Sequence, residues 1–175
     1  MKKDFIAPIL AMSLICLVMT GALALVNNVT HPIIEDGATQ RANEAMGTLI
    51  PLADGFTLME GSQTDHFSPA IREAYQTTNQ VGYIFIVTTR GFGGEMQIMI
   101  GLCDFGHFYG STVLSHNETV SFANRVFAIR DELKAEGRNF LYIDAISGAT
   151  ETFEAYRSAL EIAFEAFEKL GGGER

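Results

Sequence analysis

From Phe5 to Val26 the chain runs for 22 residues without a charged side chain. No other feature limits the fold as strongly, because a stretch like this must be shielded from water along its whole length. As a helix rising about 1.5 Å per residue it reaches roughly 33 Å, against a hydrocarbon core of about 30 Å. Pro8 falls near its start, where a helix tolerates proline best. Lys2 and Lys3 precede the run and Glu35 and Asp36 follow it, an asymmetry that puts the N-terminus in the cytoplasm and the rest of the chain outside. Ala22-Leu-Ala24 has the form of a signal-peptide cleavage site, but the apolar cores of signal peptides span about 7 to 15 residues, fewer than here. Ile15 is too bulky for the small residue expected before a lipidated cysteine at Cys16. The reading is a retained single-pass anchor over residues 1–30, embedded in a lipid bilayer, with an extracytoplasmic domain behind it.

The rest of the 175 residues suffices for one domain of ordinary size. Setting aside Lys2, Lys3 and Asp4 from 12 basic and 21 acidic residues leaves 10 against 20, a net charge of −10. That balance argues against nucleic acid or anionic lipid as the main partner. Cys16 and Cys103 fall on the anchor and in the domain, so neither a disulfide framework nor an iron–sulfur site is supported. His31, His66, His107 and His116 show no HExxH or HxH spacing, and no protein-ligated metal is expected.

Behind the anchor, Ile33, Ile34, Ala38, Ala42, Ala45, Met46 and Leu49 recur at helical spacing. They predict a helix over 33–50, starting after a break near His31-Pro32 and closed by Pro51; residues 31–52 thus read as a stalk. The domain itself covers 53–170. Residues 53–80 read as loop, apart from a short strand at Phe56–Met59. Gly82–Thr89 is rich in β-branched and aromatic residues, and Glu95–Cys103 alternates with Met96, Ile98, Ile100 and Leu102 on one face. With Phe108–Ser115 these segments form an antiparallel meander of three strands joined by glycine-containing turns. A helix follows over Val120–Glu136, then a short strand at Phe140–Ile143 and a long final helix. Phe153, Tyr156, Leu160, Phe164 and Phe167 line one side of that helix, and Glu154, Glu161, Glu165 and Glu168 the other. Strands and helices segregate along the chain, so the fold class is α+β, and residues 171–175 are a flexible tail.

Three short stretches stand out chemically. Gly91-Phe-Gly-Gly94 begins like a dinucleotide-binding loop, but Met96 occupies the place of the third glycine and a strand follows instead of a helix. A hairpin turn is the better reading, with its glycines leaving room for close approach of a ligand. Leu114-Ser-His-Asn-Glu-Thr119 gathers a histidine, a carboxylate and two hydroxyls, without the strained nucleophile elbow of a hydrolase. Here Thr119 reads as the cap of the next helix, with Glu118 near its positive end. Asp144-Ala-Ile-Ser-Gly-Ala-Thr150 delivers a hydroxyl to the first turn of the last helix, where converging N–H groups and the helix dipole favour a phosphate.

Read together, these stretches resemble the FMN-binding domain of the Rnf-type electron transport complex G subunit, and of its relative, the C subunit of the sodium-pumping NADH:quinone reductase. Gly82–Gly94 looks like the family's strand and glycine turn, Val113–Thr119 like its second signature, and Asp144–Thr150 like its flavinylation motif. The resemblance covers roughly residues 81–170. It implies a small antiparallel-sheet domain that carries FMN through a phosphodiester on Thr150, with Asp144, Ser147, Gly148 and Ala149 as the sequence recognised by an ApbE-type flavin transferase using FAD and magnesium. His116, Glu118 and Thr119 would contribute to flavin binding, and no catalytic side chain is implied. The partners implied are the other membrane subunits of an ion-translocating oxidoreductase. Members of the family usually continue the His-x-Glu-Thr segment with a Pro-Gly-Leu-Gly-like turn that helps house the ring; Val120-Ser-Phe-Ala123 stands there instead. Past the motif, Thr152 matches a common second threonine, while Phe153 replaces a frequent serine. The departure at Val120–Ala123 motivates a second reading, an anchored assembly module whose flavin binding is weakened or lost.

Overall fold

The structure, a computed structural model, describes residues 2–61, 64–129 and 146–171, with only the backbone described at 2–7, 29, 31–41 and 122. It divides into two units, residues 1–41 and residues 42–175. Helix α1 (Lys2–Leu49) belongs to the first over most of its length. Within it Pro8–Asn28 has a mean hydropathy of 2.6 and buries nothing against protein, long and apolar enough to cross a membrane. The expected break near His31-Pro32 is not made: α1 continues through Pro32 to Leu49. A mid-helix proline costs about 3 kcal/mol, and turns propagated on both sides offset that within a helix of 48 residues.

The second unit is an antiparallel sheet between helices, an α+β domain. Strands β1 (Phe56–Leu58), β2 (Ile71–Thr77), β3 (Gly82–Gly91), β4 (Gly94–Cys103) and β5 (Phe108–Ser115) lie side by side in sequence order. The meander therefore has five strands instead of the three expected, with β2 formed from residues read as loop. Its inward residues are Ala74 and Thr77, one small and one polar, so the apolar alternation that marks a half-buried strand is missing. Thr77 is buried because its hydroxyl satisfies both backbone groups of Gly82, accepting from the N–H at 3.0 Å and donating to the carbonyl at 3.1 Å.

Helices α2 (Val120–Ala128) and α3 (Thr150–Lys169) cover one face of the sheet. Phe153, Tyr156, Leu160, Phe164 and Phe167 of α3 bury against Phe85, Val87, Ile98, Ile100 and Leu102. Burial of each large apolar side chain stabilises the fold by about 1.5 to 3 kcal/mol. The Ser111 and Tyr156 hydroxyls hydrogen-bond inside this layer. Met46, Leu49 and Ile50 cover the opposite face, packing on Ile84, Ile86 and Met99. Because β3 is covered on both sides, Ile84-Phe-Ile-Val87 is apolar without interruption. The later part of the helix expected over Val120–Glu136 and the strand expected at Phe140–Ile143 lie outside the described residues.

Candidate functional site

At one end of the sheet three segments meet: the β3–β4 hairpin tip, the Ser115–Thr119 segment and the start of α3. The hairpin closes in two residues, Phe92 and Gly93, between the paired Gly91 and Gly94. A methyl group on Gly91 would come within 2.3 Å of Glu118 Oε1, and one on Gly93 within 2.2 Å of the Asn117 carbonyl oxygen. Gly94 has φ of 125°, a conformation open to glycine and costly for other residues. The glycines thus allow close approach, as expected, but what approaches is the chain's own Asn117–Glu118 backbone and carboxylate.

Glu118 joins all three segments. Only 6% exposed, it accepts the Gly93 N–H on Oε1 at 2.8 Å and the Thr152 hydroxyl on Oε2 at 2.6 Å. Each carboxylate oxygen therefore has a donor, as a buried carboxylate requires. Glu118 immediately precedes the N-cap residue of α2, as expected, but its carboxylate is engaged by the hairpin and by α3. Thr119 holds the N-cap position of α2, but its side chain makes no capping hydrogen bond. His116 shapes the turn instead: Nδ1 accepts the Glu118 N–H at 3.2 Å, and the ring meets Phe127 edge-on at 5.4 Å.

The start of α3 is built around Gly148, whose φ of 82° turns the chain into the helix. The turn closes with the Ala149 N–H donating to the Ile146 carbonyl at 2.9 Å. Ala149 is the N-cap residue and has no side-chain acceptor to offer, so the first-turn N–H groups are left without a side-chain cap. Two threonines flank Glu151 there, and their environments differ. Thr152 is 2% exposed and bonded to Glu118, whereas Thr150 is exposed.

Two clefts include Thr150 and Glu151 in their linings. One, of about 320 Å³, is lined by Phe92, Glu118, Gly148, Ala149, Thr150, Glu151 and Thr152. The other, of about 710 Å³, is lined by Thr89, Arg90, Gly91, Thr150, Glu151, Glu154, Ala155 and Ser158. Both fall in the volume range of small-molecule sites. The second includes a cation, Arg90, and adjoins the Thr89 hydroxyl, buried without a hydrogen-bond partner among the described residues. Of the residues singled out from the sequence, Glu118, Gly148, Ala149 and Thr150 come together here. His116, Thr119 and Ser147 line neither cleft, and Asp144 lies outside the described residues. Arg90, Thr89, Glu151, Glu154 and Ser158 were not anticipated; only the spacing of Glu154 and Ser158 on the helix face beyond Thr150 could have pointed to them.

Residues 91–165 match the FMN-binding domain family. Over 94% of its length the chain is 27% identical to the G subunit of an ion-translocating oxidoreductase complex from Methanosarcina acetivorans, covering 95% of that protein. It is 26% identical to the G subunit of the Na(+)-translocating ferredoxin:NAD(+) oxidoreductase complex of Acetobacterium woodii, over 92% of this chain and 90% of the relative. Similarity to the G subunit of the proton-translocating ferredoxin:NAD(+) oxidoreductase complex of Clostridium ljungdahlii is 22% identity over 93% of this chain and 91% of the relative.

Proposed function

We propose, for a chain whose residues 91–165 belong to the FMN-binding domain family, that it is a membrane-anchored electron carrier with FMN bound covalently to Thr150. It would work inside an ion-translocating oxidoreductase complex of Rnf type, as the G subunits named above do by their descriptions. The observation that carries the attachment is the contrast within one helical turn. Thr150 is exposed at a helix start without a side-chain cap and lines both clefts, while Thr152 is sealed against Glu118. Only the first hydroxyl is open to an enzyme.

The residues present fit such a group. A phosphodiester on Thr150 stays anionic, and the free first-turn N–H groups and the helix dipole stabilise a negative charge there. In the larger cleft Arg90 supplies a positive charge that counters Glu151, while Glu154 is paired with Arg157, and the Thr89 hydroxyl, without a hydrogen-bond partner among the described residues, can serve a polyol chain. In the maturation step Thr150 Oγ bonds to the phosphorus of the FMN half of FAD. The anhydride bond breaks, AMP leaves, and the hydroxyl proton passes to the ApbE-type transferase, which holds the FAD with magnesium. When bound, FMN supplies a ring that accepts and passes electrons; the chain holds that ring and tunes it by burial and hydrogen bonds.

Two properties follow for the whole protein. Pro8–Asn28 is the anchor in the bilayer, with the short N-terminus cytoplasmic and the flavin domain extracytoplasmic. Its partners would be the other membrane subunits of the complex. A second reading, an assembly module without flavin, draws on α2 starting at Val120, where the family's turn would house part of the ring. In-gel fluorescence after denaturing electrophoresis separates the two. A flavin-bright band from the chain co-produced with its transferase supports the carrier, and a dark band supports the module.

A further inference from the structure

Phe92 is the most exposed phenylalanine among the described residues, at 74%, and it stands where a ligand would cover it. It is the tip of the β3–β4 hairpin, and it lines the same cleft as Thr150, Ala149 and Gly148. Its backbone cannot drift: the neighbouring Gly93 N–H is bonded to Glu118 at 2.8 Å, and both flanking glycines are pressed against Glu118 and Asn117. A large aromatic on a fixed loop, presented to a cleft instead of to the core, is the arrangement of a stacking platform. The other strongly exposed phenylalanine, Phe105, follows β4 at the opposite end of the strand and lines neither cleft.

We propose that Phe92 is the aromatic platform on which the isoalloxazine ring of the Thr150-linked flavin stacks. This rests on the attachment reading above and deepens it by naming what holds the ring. The two clefts divide the work. Arg90 and the Thr89 hydroxyl suit the charged and hydroxylated parts of the group, whereas the exposed ring of Phe92 offers apolar surface to a flat ring. It also assigns the ring's support to the hairpin tip, and so removes the need for the turn that Val120–Ala123 replaces.

The test uses the full chain in detergent, co-produced with the flavin transferase, as wild type and as Phe92→Trp and Phe105→Trp. An electron-rich indole in contact with an excited flavin quenches it by electron transfer, which a benzene ring does not. Mass spectrometry of the Thr150 peptide first establishes flavin occupancy in each protein. With flavin present, Phe92→Trp is expected to lower native flavin fluorescence severalfold, with the difference abolished by denaturation, and Phe105→Trp to match wild type. Equal native brightness in all three overturns the platform while leaving the attachment intact. Flavin missing from wild-type Thr150 contradicts the attachment reading and the platform together. Should Phe92→Trp load poorly, Phe92→Tyr reads the same contact with a smaller ring, and its fluorescence must fall below that of Phe92→Leu; equality of those two overturns the proposal.

Discussion

Thr152 donates its hydroxyl hydrogen to Oε2 of Glu118 at 2.6 Å, across 34 residues of chain, with both side chains out of solvent. The same carboxylate holds the Gly93 N–H. One acidic side chain thus ties the β3–β4 hairpin to the first turn of α3, and fixes where Thr150 stands relative to Phe92.

Removing that tie should cost stability. Glu118→Ala strands two buried donors, and with about 1 to 3 kcal/mol for each unsatisfied group the loss should be about 3 kcal/mol. Thr152→Val removes one hydrogen bond to a charged group and should cost about 2 kcal/mol. The two changes share a partner, so urea unfolding of the double variant should show less than the sum. Thr150→Ala, at an exposed position, should stay within about 0.5 kcal/mol of wild type.

The hairpin tip offers a comparison between glycines. Gly93→Ala forces a methyl group onto the Asn117 carbonyl, backbone that cannot step aside, and overpacking of this kind costs about 1 to 3 kcal/mol. Gly47→Ala meets nothing within 4 Å in the last turn of α1 and should stabilise by about 0.5 to 1 kcal/mol through helix propensity. Thermal unfolding of the two variants should shift in opposite directions.

Much of the fold is legible in the sequence. Met96, Ile98, Ile100 and Leu102 marked β4 by alternation, and the phenylalanine stripe from Phe153 to Phe167 marked α3. Strand β2 was not, because Ala74 and Thr77 carry its buried side and Thr77 is satisfied by Gly82, a partnership that periodicity does not register. At the site, the helix start at Thr150 could be read from Ser-Gly-Ala-Thr. The role of Glu118 could not: its donors, Gly93 and Thr152, lie 25 and 34 residues away and converge only through the sheet. Pro32 misled in the other direction, since one lost hydrogen bond does not end a helix held by turns on both sides.

Alkaline pH should weaken the domain through two tyrosines. Burial, with the hydrogen bond to Glu73 second, raises the Tyr75 hydroxyl well above its ordinary 10.0. Burial first, then the nearby Cys103 and Asp104, raises Tyr109 in the same direction. Both stay protonated in the folded chain at pH values where the unfolded chain ionises. Their contribution is complete below the unfolded value and is lost as pH rises through and beyond it. Urea midpoints measured between about pH 8 and pH 11 should fall toward the alkaline end, and Tyr75→Phe with Tyr109→Phe should flatten that fall.

The proposed topology is open to a direct check. A phosphatase that folds only outside the cytoplasm, fused after Arg175, should be active in cells, and the same enzyme fused before Met1 should be inactive. The reverse pattern would place the flavin domain on the cytoplasmic side.

Whether FMN is attached to Thr150 is decided by the mass of one peptide. The full chain, produced with and without an ApbE-type flavin transferase, is digested and the fragment containing Ser147–Thr150 is sequenced by tandem mass spectrometry. An increment of one FMN less one water is expected on Thr150, present only with the transferase and absent from Thr150→Ala, with Thr152 unmodified throughout. An unmodified Thr150 in the presence of an active transferase, or the increment on Thr152, would contradict attachment at Thr150.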